Sequence, residues 1–177
     1  MVYLLLADGF EEIEALTTVD ILRRSGIEIK TVGISNKIQA GAHNIPVICD
    51  IEINEVDKNN ISMLILPGGA GYELLDASNE VHGLINYCIT NKIYISCICA
   101  APSIIGKKGF LEGKKAVCYP GFEKFLYGAE VLDTKTAVDG LFITGKGPGA
   151  SADFAFEIVK ILKNSETADK LKGMMCY

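Results

Sequence analysis

Ile93-Tyr94-Ile95-Ser96-Cys97-Ile98-Cys99-Ala100-Ala101-Pro102-Ser103 decides how this chain folds. Its first half is a β-branched and aromatic apolar run, which reads as a buried strand. Ala100, Ala101 and Pro102 then open a helix, because Pro loses nothing in a helix's first turn. A strand that runs straight into a helix must turn sharply. The side chain on that turn, Cys99, is pushed out above the sheet and over the helix N-terminus. This is a nucleophile elbow with Cys in place of Ser. Free N–H groups and the positive end of the helix dipole favour a thiolate there, so Cys99 is the candidate nucleophile. The competing reading is a small buried hydrophobe, the usual fate of a free Cys.

Outward from the elbow, strands and helices alternate. Val2 to Ala7 is an unbroken apolar run, as in a strand buried on both faces of a parallel sheet. Asp8-Gly9 turns the chain into a helix from about Glu11 to Ser25, with Ala15, Leu16, Val19 and Leu22 at helical spacing. Glu11, Glu12 and Glu14 crowd its start and Arg23 and Arg24 its end, which complements the macrodipole, and Gly26 stops it. Ile27 to Ile34 reads as the second strand. Asn36 to Ile53, broken by Gly41, Asn44 and Pro46, reads as a small antiparallel excursion. Ile61 to Leu66 is a further buried strand that ends in Pro67-Gly68-Gly69-Ala70-Gly71, and Val81, Leu84, Ile85, Cys88 and Ile89 mark the next helix. Beyond the elbow come a short strand and turn at Ala116 to Pro120 and two or three strands from Ala129 to Thr144 with a hairpin turn at Asp139-Gly140. Gly145-Lys146-Gly147-Pro148-Gly149 leads to a helix from about Ala150 to Lys163, and a short helix near Glu166 to Lys172 closes the chain. The pattern predicts one α/β doubly wound domain over residues 1–177. Ligands in such folds bind beyond the carboxyl ends of the strands, where Asp8-Gly9, Pro67-Gly68-Gly69 and Cys99 all fall.

Composition narrows the function. The 177 residues carry 17 basic and 22 acidic side chains, a formal net charge of -5, with no basic run. Nucleic acid and anionic membrane surfaces are therefore excluded as expected partners. No apolar run reaches membrane-spanning length, and the first residues lack the basic start and cleavage site of a signal peptide. The expected location is the cytoplasm. The six cysteines at 49, 88, 97, 99, 118 and 176 read as free thiols in an apolar chain that needs no disulfides. The Cys97 and Cys99 sulfurs are expected on opposite sides of the strand, a poor chelate. His43 and His82 have no ligand spacing, and His82 is expected in solvent at a helix start. No metal and no cofactor are expected.

Two features complement Cys99. The Pro67-Gly68-Gly69-Ala70-Gly71 loop matches neither GxGxxG nor GxxxxGK[ST], so a nucleotide site is not expected. It can instead supply an oxyanion hole, in which the Gly69 N–H and the Ala100 N–H hold developing charge on a carbonyl oxygen; a plain tight turn is the alternative. Glu14 is bracketed by Ile13, Ala15 and Leu16 near the inward face. Burial would raise its pKa, so that it could hold and shuttle a proton beside the thiol; otherwise it serves the helix dipole.

Together, Ala7-Asp8-Gly9-Phe10-Glu11-Glu12-Ile13-Glu14, Leu66-Pro67-Gly68-Gly69, Ile98-Cys99-Ala100-Ala101-Pro102 and Ile143-Thr144-Gly145-Lys146-Gly147-Pro148-Gly149 occur in an order that resembles the ThiJ/PfpI superfamily, in the branch of the Parkinson-disease-associated protein deglycase and its bacterial relatives. The resemblance spans essentially the whole chain. It implies a flavodoxin-like doubly wound sandwich, with a mostly parallel central sheet and helices on both faces, that forms homodimers. It places the reactive cysteine at Cys99, its acid partner at Glu14, the anion-stabilising amides at Gly69 and Ala100, and Gly68, Tyr119 and Pro148 around the pocket. It implies cofactor-free action on small aldehydes or dicarbonyls, as glyoxalase III-like conversion of methylglyoxal to lactate or as protein deglycation. An oxidative-stress sensor or chaperone-like protein with an oxidisable cysteine is the alternative. Two departures stand out. Tyr119 occupies the position where many relatives carry His, and a phenol of ordinary pKa ~10 is a poor base at neutral pH. Asn44 stands where the nearest relatives tend to carry Arg.

Overall fold

The computed structural model describes residues 1–177. The chain runs β1 (Val2–Leu6), α1 (Glu12–Arg24), β2 (Ile29–Gly33), β3 (Ile38–Ala40), β4 (Pro46–Ile48) and β5 (Ile51–Glu52). It continues through β6 (Met63–Leu66), α2 (Tyr72–Ala77), α3 (Asn79–Thr90), β7 (Tyr94–Ile98) and the short α4 (Pro102–Gly106). It ends with β8 (Lys115–Ala116), β9 (Glu130–Val131), β10 (Thr136–Asp139), β11 (Phe142–Gly145), α5 (Ser151–Leu162) and α6 (Ser165–Met174).

Seven strands form one sheet in the order β10-β11-β7-β6-β1-β2-β5, parallel throughout except for the β10–β11 hairpin. Period-2 alternation sorts the interior strand β1 onto two cores. Val2, Leu4 and Leu6 pack with α1, α5 and α6 on one face, while Tyr3 and Leu5 pack with α3 and α4 on the other. Both faces are therefore covered, which explains the unbroken apolar runs of β1 and β6. From β1 the winding goes to β2 in one direction and to β6 in the other. The crevice between the carboxyl ends of β1 and β6 is thus a topological switch point, and the loops after both strands open onto it.

Four details depart from the sequence reading. The excursion does pair antiparallel as β3–β4, but Ile51–Glu52 then rejoins the main sheet as its parallel edge beside β2. Tyr72–Ala77 forms a helix that the glycine-rich approach had hidden. His82 is part-buried, with Nε2 2.7 Å from the Asp76 carbonyl oxygen, because α2 folds back over the start of α3. Cys97 and Cys99 do lie on opposite faces, but not through regular alternation, which would put residues two apart on the same face. Cys97 joins the α3–α4 core, and Cys99, with φ 64°, leaves the strand in the left-handed region and turns to the α1–α5 core. No helix is long and apolar enough to cross a membrane.

Leu4 is fully buried in β1 between β2 and β6. Leu4→Ala should cost about 3 kcal/mol of unfolding free energy, the sum of lost transfer energy and a cavity that a sheet held on both sides cannot collapse. Urea titration of the two proteins measures it.

Candidate functional site

Three chain segments meet at the switch point. After β7, Cys99 adopts φ 64°, a conformation that a residue with a Cβ holds only under local constraint. The constraint is a pair of backbone hydrogen bonds. The Cys99 N–H donates to the Gly145 carbonyl at 2.9 Å, and the Tyr119 N–H donates to the Cys99 carbonyl at 2.8 Å. The end of β11 and the segment after β8 therefore grip the elbow from both sides.

After β6, Gly68 passes so close to the elbow that a side chain has no room. A Cβ there would lie 2.6 Å from Cys99 Cβ and 2.8 Å from Glu14 Oε2. The Gly68 N–H donates to Glu14 Oε2 at 2.8 Å, and its carbonyl accepts from the Glu11 N–H at 3.1 Å. Gly69 follows with φ 77°, and a Cβ on it would meet the Gly9 carbonyl oxygen at 2.4 Å. The loops after β1 and β6 are thus interlocked through backbone alone.

Glu14 is 1% exposed on the first turn of α1, and its Oε1 has no hydrogen-bond partner. Burial raises its pKa to about 7, opposed by the Gly68 N–H and by a hydrogen bond to Cys99, with the nearby Glu11 charge adding to the rise. Cys99 is 8% exposed. Burial, the Glu14 charge and the hydrogen bond to Glu14 push its thiol up to about 12, while hydrogen bonds from the Gly69 and Ala100 amides pull the other way. The helix-end stabilisation expected from the sequence is thus outweighed. One reason is that α4 has only 5 residues, too short to build much of a dipole. The thiol and the carboxyl share one buried space and hold at most one negative charge between them near neutral pH.

The structure brings Cys99, Glu14, Gly68, Gly69 and Ala100 together. Tyr119 and Pro148 stand on the far side of the elbow, in a cavity of about 260 Å³ that also has Lys135 and Lys146 in its wall. Lys146 lies in a motif quoted from the sequence, but Lys135 carried no local signal. The β10–β11 hairpin brings it in, with the Lys146 N–H donating to the Lys135 carbonyl at 2.9 Å. Neither histidine joins the site. His43 Nδ1 lies 2.8 Å from Glu12 Oε2, and its backbone N–H donates to Glu12 Oε1 at 2.8 Å. Glu11, Glu12 and His43 each offer one ligand atom within 4.8 Å of the others, but both Glu12 oxygens are already engaged. Asn44 is exposed at φ 59°.

Residues 1–161 match the DJ-1/PfpI family. The chain is 31% identical over 172 residues to Protein DJ-1 homolog B of Arabidopsis thaliana, covering 95% of this chain but 39% of that longer protein. It is 28% identical over 174 residues to the glutathione-independent glyoxalase DJR-1.2 of Caenorhabditis elegans, covering 98% and 94% of the two chains. A deglycase of Pyrococcus abyssi is 27% identical over 164 residues, with 92% and 99% covered. Among solved structures, a DJ-1 superfamily protein of Salmonella typhimurium superposes with TM-score 0.93 at 30% identity, over 99% of this chain and 97% of that one.

The close approach at Gly68 makes a direct forecast. Gly68→Ala should destabilise the protein by about 1–3 kcal/mol, as overpacking does. Gly83→Ala, inside α3 with nothing within 4 Å, should instead stabilise it by about 0.5–1 kcal/mol. Denaturant midpoints of the two variants should move in opposite directions.

Proposed function

The chain belongs to the DJ-1/PfpI family, and from that premise we propose that it is a Cys99-dependent enzyme acting on small reactive dicarbonyls, converting methylglyoxal to lactate or removing the equivalent adducts from proteins. The observation that carries this reading is the contact of a buried thiol with a buried carboxyl whose pKa is near 7, both seated against Gly68. Relatives named as a glyoxalase and a deglycase support the same substrate class.

The proton inventory sets the order of steps. Above pH 7 the pair rests as thiol and carboxylate. Glu14 takes the Cys99 proton as sulfur bonds to the aldehyde carbon, and the developing oxyanion is held by the Gly69 and Ala100 amides. Glu14 returns that proton to the oxygen, which completes a hemithioacetal. It then removes the hydrogen from the former aldehyde carbon while the hydroxyl proton passes to the neighbouring carbonyl oxygen through an enediol, and it delivers its proton to the neighbouring carbon, giving a lactoyl thioester. Water hydrolyses the thioester to lactate and frees the thiol, so no cofactor or external oxidant enters. Tyr119 takes no proton in this scheme.

The oxidation-sensor reading has its own support, because the same amides and the Glu14 carboxyl are placed to hold the oxygens of a sulfinate on Cys99. Lactate formation from methylglyoxal by the reduced protein separates the two. The expected result is turnover lost in both Cys99→Ser and Glu14→Gln, with kcat/KM rising through an acid limb near pH 7 as Glu14 ionises to become the base. Absent turnover, with Cys99 still oxidised by peroxide faster than the other five cysteines, would transfer the reading to the sensor.

We also propose that a second copy covers the outer face of the β3–β4 ribbon. Ile38 and Ile48 pair across the ribbon and both are exposed, Ile48 at 73%, with Ile45 and Ile13 exposed as well. Light scattering at micromolar concentration should give twice the chain mass of 19.1 kDa, falling to one mass for Ile48→Glu. A wild-type monomer overturns this.

A further inference from the structure

We infer that the Thr144 hydroxyl is a positioning group for Cys99: it ties down the segment whose main chain holds the elbow in its left-handed turn. The inference rests on Cys99 as the reactive centre and adds a residue that acts on it through other residues' main chain.

The segment after β8 has its own pattern. β8 lies outside the seven-stranded sheet and pairs with β9. From it, one row of amides points at the main sheet. The Lys115 N–H donates to Asp139 Oδ2 at 3.0 Å, the Val117 N–H to Thr144 Oγ1 at 2.9 Å, and the Tyr119 N–H to the Cys99 carbonyl at 2.8 Å. A spacing of two residues is that of an extended strand, whose alternate residues turn their polar groups to the same edge. The opposite edge serves β9, with the Lys114 and Ala116 carbonyls accepting from the Glu130 and Leu132 N–H groups. The first row therefore finds a carboxylate at the surface, a hydroxyl in the interior and the elbow itself at its end.

Thr144 is the interior anchor of that row. It is 1% exposed on β11, between β10 and β7. Its side chain shares a face with Phe142, which packs in one core with Ala116 and Cys118. A hydroxyl on such a face is costly unless it is bonded, and Val has the same branching for a strand. The oxygen serves the Val117 N–H, which is itself buried. β11 thus acts on the elbow twice. The Gly145 carbonyl takes the Cys99 N–H directly, while Thr144 fixes Val117, two residues before the amide that binds the Cys99 carbonyl. Cys99 keeps φ 64° only while its surroundings enforce it. Without the Thr144 oxygen, a buried amide is left unpaired and the segment is driven to shift toward another acceptor. The elbow then relaxes toward ordinary φ and carries the sulfur away from Glu14.

The test reads Cys99 itself. The rate of its alkylation by iodoacetamide is followed by mass spectrometry on the reduced protein across a pH series. In the parent protein, burial and Glu14 hold the thiol protonated. Thr144→Val should alkylate about tenfold faster at pH 8, as a fall of about one unit in thiol pKa would give, with the rate–pH profile moved down by that unit. Thr144→Ser, which keeps the oxygen, should restore the parent rate and profile. Leu171→Ala, which opens the core under α6, should leave both unchanged, so general destabilisation does not mimic the effect. A folded Thr144→Val protein with the parent profile, or the same acceleration in Leu171→Ala, would overturn the inference. Should Thr144→Val not fold, native-state hydrogen exchange of the parent decides. The Val117 and Tyr119 amides should open as one unit with equal protection, and a Val117 amide that opens far more readily than that of Tyr119 overturns the link. Methylglyoxal enters none of these measurements, so the enzyme reading and this one can fail independently.

Discussion

The missing side chain at Gly68 is the constraint on which the site depends. One backbone position satisfies a buried carboxylate oxygen of Glu14, ties the start of α1 through Glu11, and leaves the gap that the Cys99 side chain occupies. The groups it serves come from two elements, α1 with its N-cap and the turn after β7, and Gly68 meets both from the end of β6. A Cβ at position 68 would displace two of them at once. The neighbouring Gly69 extends the same economy, interlocking with Gly9 through backbone approach alone. The fold thus brings a thiol and a carboxyl together without any side chain acting as spacer.

That closeness has an electrostatic consequence. In a buried space each acid penalises the ionisation of the other, so the pair behaves as one titrating unit rather than two. Glu14 is the easier member to ionise, because its charged form keeps the Gly68 N–H. The sulfur keeps the Gly69 and Ala100 amides, but burial outweighs them. The unpartnered Glu14 Oε1 belongs to the same picture. A buried carboxyl oxygen with no donor is costly in a finished structure. It is well suited to a group that must exchange a proton with whatever occupies the site.

Most of the fold was legible because its signals are local. The apolar runs of β1 and β6, the Asp139-Gly140 hairpin and the elbow itself all depend on residues adjacent in sequence. Glu14 does face inward, but with Ala15 and Thr18 on the buried side of α1, whereas Ile13, one of the apolar neighbours that suggested it, is exposed. What was not legible depends on distant segments or on a single dihedral angle. Lys135 enters the cavity only through hairpin pairing, and His82 leaves solvent only because α2 folds over it. The strength of burial at Cys99 could not be read from a helix start, since it is set by the segments that close over the sulfur. The opposite facing of Cys97 and Cys99 arises from the left-handed turn at Cys99, which no alternation rule anticipates.

Tyr119 links these threads. Its backbone N–H holds the elbow, while its ring, 46% exposed, forms a wall of the neighbouring cavity. A residue anchored by its main chain is free to change its side chain without losing the elbow. Glu14, buried against the same elbow, is the acid whose pKa burial raises to about 7. The Tyr119 ring shares that wall with Lys135 and Lys146. The side chain at position 119 can therefore vary independently of the elbow, because the grip on Cys99 is made by main-chain atoms alone.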